Sequence, residues 1–147
     1  MESAGAGPLG SAEILDGDEA TSGQPLATVE IERLGRVSVA RLRGEIDTSN
    51  VADIGRALEA AARDDQSQGM VVDLSDVVYL NSATVKLLFD LAQQMNQRGR
   101  QMRLVMAESA PMRKLILLVK FDLVVPLHKT IEEALAHIPA RDASDRM

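Results

Sequence analysis

A serine at the predicted start of a helix is the side chain in this sequence whose position most suggests chemistry. The stretch from Val71 to Phe89 is predicted to run from a strand through a short connection into a helix, and Ser82 lies where that helix begins. A helix N-terminus exposes unpaired amide N–H groups and the positive end of the helix dipole. A phosphoryl group on Ser82 would add a charge of about −1.5 to −2 beside these donors, and so change the surface without unfolding the helix. The alternative is that Asn81 or Ser82 only caps the helix, which is the commoner role on spacing alone.

The other nucleophilic and ionisable residues lack the partners that catalysis or metal binding requires. Ser82 has no evident histidine partner and no Gly-x-Ser-x-Gly turn, which argues against a hydrolase nucleophile. His128 and His137 have no spacing to a further ligand that would form a metal site. The chain also has no glycine-rich phosphate-binding loop. We therefore expect a protein that is not an enzyme and that uses no cofactor and no metal ion.

The composition excludes further classes of function. Aromatic residues make up only 2% of the 147 residues, too few for a surface on which nucleic-acid bases stack. The net charge is −6, but residues 1–26 contain five acidic residues and no basic one, which leaves 17 of the 22 acidic residues against all 16 basic ones. A nearly neutral remainder has no electrostatic footprint for nucleic acid.

The same composition predicts the compartment. No apolar run approaches the roughly 20 residues that a membrane span needs, and the N-terminus lacks the layout of a signal peptide. Cysteine is absent, which fits a reducing compartment. We expect a cytoplasmic protein with no membrane insertion and no nucleic-acid partner.

Hydrophobic periodicity divides the chain into a tail, one domain and a short end segment. Residues 1–26 are rich in Gly, Ala and Ser and are expected to form a disordered acidic tail. Residues 27–140 are expected to form the folded domain, and residues 141–147 a flexible C-terminal tail. Within the domain the elements read β-β-α-β-α-β-α-β-α, which predicts an α/β fold with a mixed β-sheet flanked by helices.

Alternation, helical spacing and capping residues predict the individual elements. The second strand is predicted to end at Gly44, and the apolar run Met70–Leu74 predicts an interior strand covered on both faces. The third helix is predicted to bury Val119, and Leu123–Val125 is predicted to be the last strand. Thr130 has capping-box spacing at the start of the terminal helix.

Four segments together carry a family resemblance. They are Leu42–Asp47, Val71–Ser82, the basic helix start near Arg113 and the closing run Ile131–Leu135. In these segments the chain resembles the STAS domains of bacterial anti-sigma factor antagonists. The resemblance covers about Ala27 to Ile138, which is essentially the whole predicted domain.

The resemblance implies a phosphorylation-gated interaction module. In this family the unphosphorylated antagonist binds an anti-sigma factor that is also a serine kinase, and so frees a sigma factor. Phosphorylation of a serine at the helix start breaks that complex, and a separate phosphatase restores the antagonist. Ser82 aligns with the family's serine, and Asp47 aligns with an acidic residue near the same surface.

The local pattern around the serine departs from that of the family. The usual Asp-Ser-Ser/Thr-Gly is Asn81-Ser82-Ala83-Thr84 here, so one charge, one hydroxyl and one glycine are replaced. The resemblance assigns partner binding to these four residues and to Asp47, with Thr84 as a second candidate phosphoacceptor after Ser82. From the residues alone, Asp47 is equally compatible with orienting the serine loop, binding a partner's cation or capping the helix that follows.

These departures leave a second function open. The chain is also compatible with a STAS scaffold subunit of a larger assembly, such as a stress-signalling complex or a lipid transporter. Ser82 would then never be phosphorylated and would only cap its helix.

Overall fold

The computed structural model describes residues 11–12 and 25–138, which form one sheet with helices on both of its faces. The strands are β1 (Ser11–Ala12), β2 (Ala27–Leu34), β3 (Val37–Ile46), β4 (Gly69–Leu80), β5 (Gln101–Val105) and β6 (Leu127–His128). The helices are α1 (Val51–Ala62), α2 (Ser82–Gln97), α3 (Arg113–Leu118) and α4 (Ile131–Ala136), with a short 3-10 helix at Phe121–Leu123.

The strands lie in the sheet in the order in which they occur along the chain. Strands β1, β2 and β3 pair antiparallel, whereas β3, β4, β5 and β6 pair parallel. Each parallel pair is connected through a helix, as a crossover between parallel strands requires. The predicted α/β fold with a mixed sheet flanked by helices is therefore confirmed.

The central strand β4 is covered on both faces, as its apolar run predicts. Met70, Val72 and Leu74 belong to the larger core, which also contains the buried residues of α1 and α2. Val71 points to the opposite face and belongs to a smaller cluster with Ala134 of α4. Because aromatic residues are scarce, almost all of this core is aliphatic.

Two strands run further than the sequence pattern predicts, and both extensions reach the same end of the sheet. Strand β3 passes through Gly44 to Ile46, so the predicted strand end at Gly44 is wrong. Strand β4 continues through the expected connection to Leu80, which pairs with Ile46. The second half of β4 lies beyond its pairing with β5, which stops at Asp73, so the two extended strands support each other there.

The predicted last strand at Leu123–Val125 is wrong. Leu123 ends the short 3-10 helix and is 76% exposed, and the strand that completes the sheet is β6 at Leu127–His128. Val119 is half exposed and is not part of the buried face of α3, where Ile116 is the buried residue. His128, which follows the predicted strand in the sequence, accordingly lies in the observed one.

Part of the predicted acidic tail pairs with the sheet. Ser11 lies opposite Glu30 and Ala12 opposite Val29, which adds β1 to the edge of β2 and differs from the expected tail without regular structure. Pro25 and Leu26 lead into β2, and the other residues of the two predicted tails lie outside the described ranges, as do Pro139 and Ala140. Within the described ranges, no helix has the length and apolar character needed to cross a membrane.

A buried histidine contacts residues of β5 and α4 on the face of the sheet that carries the smaller apolar cluster. Nε2 of His128 lies 3.1 Å from Nη1 of Arg103, and Nδ1 lies 3.4 Å from a carboxylate oxygen of Glu133. A guanidinium only donates, so Nε2 accepts and Nδ1 carries the proton that faces Glu133. The ring of His137 is 4.9 Å away, centroid to centroid. Among the described residues, no group of three or more His, Asp or Glu could hold a metal ion.

We expect the protein to lose stability as the pH falls below the ordinary pKa of a histidine. Burial, the Arg103 charge and His137 lower the pKa of His128 below 6.5, and Glu133 opposes this only in part. The unfolded chain therefore binds this proton first, and the free energy of unfolding falls as the pH drops below about 6.5. Urea unfolding at a series of pH values from 7.5 to 5 should show a steeper fall in the wild type than in His128→Gln. Parallel curves for wild type and His128→Gln would contradict the prediction.

Candidate functional site

The site is built at the junction between β4 and α2. Asn81 is the N-cap of α2, and its side-chain oxygen accepts hydrogen bonds from the amide of Thr84 at 2.9 Å and from the Thr84 hydroxyl at 2.7 Å. Ser82 is the first helical residue and is exposed, and its hydroxyl makes no hydrogen bond to any described residue. The capping role that the sequence left open between Asn81 and Ser82 thus belongs to Asn81, and the Ser82 hydroxyl is accessible.

The sheet holds this helix start in place. Leu80 is buried as the last residue of β4, and the next amide, that of Asn81, donates to the carbonyl of Ile46 at 3.2 Å. The helix that follows has 16 residues and no acidic residue in its first turn. The positive end of its dipole therefore meets solvent at Ser82 without a neutralising side chain from its own first turn.

Thr84 does not have the roles predicted for it. Its side chain is fully buried, and its hydroxyl is used in the bond to Asn81. A kinase or a binding partner cannot reach this oxygen while α2 is intact, so neither the second phosphoacceptor nor the partner contact fits the geometry. Ala83, in contrast, is exposed beside Ser82.

Asp47 lies in the turn between β3 and α1, at the strand end next to the one that carries Asn81. Its carboxylate accepts from the amide of Ser49 at 2.9 Å and from the Ser49 hydroxyl at 2.6 Å, and these bonds lower the pKa of Asp47. The side chain of Asn50 accepts from the Asp47 amide at 3.0 Å and donates to the carbonyl of Glu45 at 2.9 Å. Asp47 therefore shapes its own turn, and within the described chain it makes no hydrogen bond to Ser82.

An apolar groove of about 750 Å³ opens beside the serine, between α2 and α3. No local sequence pattern predicts it, because its walls come from segments that are distant in the chain. It is lined by Tyr79, Leu80, Asn81, Ser82, Val85, Lys86, Phe89, Met112, Leu115, Val119, Lys120, Phe121 and Val124. Two of its residues differ from the sequence-based expectation, because Val119 was predicted to be buried and Val124 to lie in a strand, and both are half exposed.

The surface next to the groove exposes further large apolar side chains. Leu118 and Leu123 are 75% and 76% exposed, and we call these two residues the leucine ridge. Val78, at the end of β4, is also more than half exposed. Several large apolar side chains exposed in neighbouring segments are typical of an interaction site.

We expect Asn81→Ala to lower the free energy of unfolding by about 1–3 kcal/mol. The substitution removes the cap of α2 and also leaves the buried Thr84 hydroxyl without its acceptor. Ser82→Ala is the matched control, because the exposed Ser82 hydroxyl is unbonded within the described chain, and its effect should stay within about 0.5 kcal/mol. Urea denaturation measures both values, and equal effects of the two substitutions would refute the assignment of the cap.

This topology defines a small α/β domain with an accessible serine at a helix start beside an apolar surface. The chain belongs to the STAS domain family, because the family model described as "STAS domain" matches residues 28–134. The resemblance found from the sequence is thereby confirmed.

Solved structures agree with this assignment. An anti-sigma factor antagonist from Mycobacterium paratuberculosis is 28% identical, with a TM-score of 0.69, and the match covers 76% of this chain and 93% of that one. The anti-sigma factor antagonist SpoIIAA in its unphosphorylated form is 19% identical, with a TM-score of 0.63, covering 76% and 96%. No curated protein matches the sequence closely enough to count as a relative.

The fold also occurs as one part of a much larger protein. The murine anion transporter Slc26a9 is 16% identical with a TM-score of 0.60, and the match covers 86% of this chain but only 21% of the transporter. At this level of identity the likeness shows a shared fold alone.

Proposed function

We propose that this protein is a cytoplasmic anti-sigma factor antagonist in which Ser82 is the phosphorylation switch. With Ser82 unmodified it binds an anti-sigma factor that has serine kinase activity, and so frees a sigma factor. Phosphorylation of Ser82 by that partner ends the complex, and a phosphatase restores it. The protein acts by binding and carries out no catalysis itself. The observation that carries the proposal is the exposed hydroxyl of Ser82 at the start of a long helix, beside an apolar groove.

The identity of the structural relatives supports the class of partner. The antagonist from Mycobacterium paratuberculosis matches over nearly its whole length. Its name states what it opposes, and the shared length means that the similarity includes the elements that form this site. The likeness to the transporter is one of fold alone, so it adds no support for the scaffold alternative.

The switch depends on the cost of removing water from a phosphoryl group when the partner covers the surface around Ser82. In the unmodified form, the partner covers an uncharged hydroxyl, the exposed Ala83 and the apolar rim of the groove. A phosphoryl group adds a dianion that the same contact would have to desolvate, which costs several kcal/mol if no cation pairs with it. Lys86 lies one turn along α2, but its ammonium is already 2.8 Å from a carboxylate oxygen of Asp90.

The neighbouring residues have distinct roles in this proposal. Asn81 fixes the start of α2, so the hydroxyl that follows is held at a constant position. Ala83 has a small side chain that allows a partner to approach the helix start. Asp47 carries its charge at the adjacent strand end, where it adds to the repulsion of a phosphoryl group or binds a cation of the partner.

The test is phosphorylation by purified anti-sigma factor kinases from the source organism. Each kinase is incubated with the full chain and ATP, and the intact mass of the product is measured. We expect one added phosphoryl group in the wild type and none in Ser82→Ala, with loss of the complex in step with the mass change. If no kinase modifies the chain, or if Ser82→Ala is modified equally, the switch is rejected. The scaffold alternative is then favoured if the chain still assembles with its partner.

A further inference from the structure

The groove beside Ser82 has the chemistry of a small-molecule site. Its walls are aliphatic and aromatic, with Phe89 and Leu115 facing it from α2 and α3. Its volume of about 750 Å³ lies within the range of roughly 300–1,000 Å³ that is usual for ligand pockets. Polar residues occur in the lining at a few positions, among them Tyr79 and Asn81.

The charged residues of the lining favour a ligand with a negative charge. Lys86 and Lys120 are its ionised side chains at neutral pH, and the lining contains no acidic residue although the chain is acidic overall. Lys86 is paired with Asp90. Lys120 forms no ion pair with any described residue, and it lies where the chain turns with a positive φ of 61° between α3 and the 3-10 helix. The groove therefore offers one uncompensated ammonium next to a large apolar surface.

We propose that this groove binds a free long-chain fatty acid, with the alkyl chain between α2 and α3 and the carboxylate at Lys120. An alkyl chain would bury its surface against the apolar walls, and a single carboxylate would form an ion pair with the ammonium of Lys120. The leucine ridge lies outside the lining, so it remains available to a protein partner together with the rim of the groove when the groove itself holds a ligand. This site goes beyond the proposed antagonist function and stands or falls independently of it.

The direct test is calorimetric titration of the full chain with sodium octanoate, dodecanoate and palmitate, each below its critical micelle concentration. We expect saturable binding of one molecule per chain, with affinity rising about fourfold per methylene until the chain fills the groove. Hexadecanol, which lacks the charge, should bind up to about fivefold more weakly than palmitate. Absence of one-to-one binding, or binding to anionic phospholipid vesicles without binding to free palmitate, would overturn the proposal.

Two pairs of variants locate the site. Lys120→Glu should weaken palmitate binding about tenfold, whereas Lys114→Glu, the same charge change on the exposed surface of α3, should not. Val119→Trp should obstruct the groove, whereas Leu118→Trp on the leucine ridge should leave binding unchanged. All four positions tolerate substitution because none is buried, and urea unfolding checks that each variant is folded. Equal effects within either pair would mean that palmitate binds another surface, and the proposal would be overturned. The groove would then be left to a partner helix or to a second copy of the chain.

Discussion

Ser82→Asp should bind the anti-sigma factor about a hundredfold or more weakly than the wild type. The carboxylate places a fixed charge at the exposed first position of α2, where the wild-type protein presents an uncharged hydroxyl to its partner. Covering an unpaired charge costs several kcal/mol, and about 2.7 kcal/mol already corresponds to a hundredfold change in affinity. Surface plasmon resonance or calorimetry with the kinase that modifies Ser82 measures the loss.

A folding defect cannot account for that loss, because the same substitution should stabilise the helix. An acidic side chain in the first turn interacts favourably with the helix dipole, by about 0.3–1 kcal/mol, and the first turn of α2 has no acidic residue of its own. We therefore expect Ser82→Asp to unfold at the same or a higher urea concentration than the wild type while its binding falls. Binding and stability that moved down together would contradict this mechanism.

Two control variants separate charge from shape. Ser82→Asn introduces a side chain of similar size to aspartate without its charge and should lose far less affinity. Gln94→Asp adds the same charge at an exposed position further along α2, outside the groove lining, and should bind as the wild type does. If Ser82→Asp bound as tightly as Ser82→Asn, the electrostatic account of the switch would be wrong.

The fold was largely predictable because its signals are local. Alternation identifies β2 and β3, the apolar run identifies β4, and helical spacing with an Asn-Ser start identifies α2. The exposed position of Ser82 did not follow from the sequence, because Asn and Ser are about equally good caps, and only the structure assigns the cap to Asn81 and leaves the next side chain free.

The groove could not be predicted, because tertiary packing creates it. The run at Leu123–Val125 has the composition of a buried strand, but α3 ends in a left-handed residue at Lys120 and the buried Phe121 anchors the following turn. Pro126 lacks an amide for a ladder hydrogen bond, and pairing with β5 begins at the next residue. Val125 turns into the core, whereas Leu123 and Val124 are left at the surface.

The role of Asp47 was ambiguous for a different reason. Aspartate before a Thr-Ser-Asn sequence fits both a turn-forming role and a partner contact, because both use an accessible carboxylate. The structure shows that the turn uses this group through Ser49, while its position at the strand end beside Asn81 is a product of sheet register. Register depends on pairing between distant strands and is not encoded in the turn itself.

Gly44→Ala should lower the free energy of unfolding by about 3 kcal/mol, an unusually large effect for the addition of one methyl group. Gly44 lies within β3 with a positive φ of 94°, and a Cβ built there would overlap the carbonyl oxygen of Leu26, at a separation of 2.2 Å. That oxygen cannot easily move, because it accepts a hydrogen bond of 3.0 Å from the amide of Glu45. The pairing of β3 with β4 also shifts register beside Gly44, as at a β-bulge, where glycine often supplies the required backbone conformation.

Gly35→Ala isolates the part of this cost that comes from the clash. Gly35 also has a positive φ, 63°, but it lies in the turn between β2 and β3, and no atom lies within 4 Å of the position that its Cβ would take. Its substitution should therefore cost only about 1 kcal/mol, the usual penalty for a left-handed alanine. Urea denaturation of the two variants gives the difference, and equal losses would mean that the Leu26 carbonyl relaxes freely. The end of β3 carries Ile46, whose carbonyl accepts from the Asn81 amide, so Gly44→Ala should also weaken partner binding while Gly35→Ala should not.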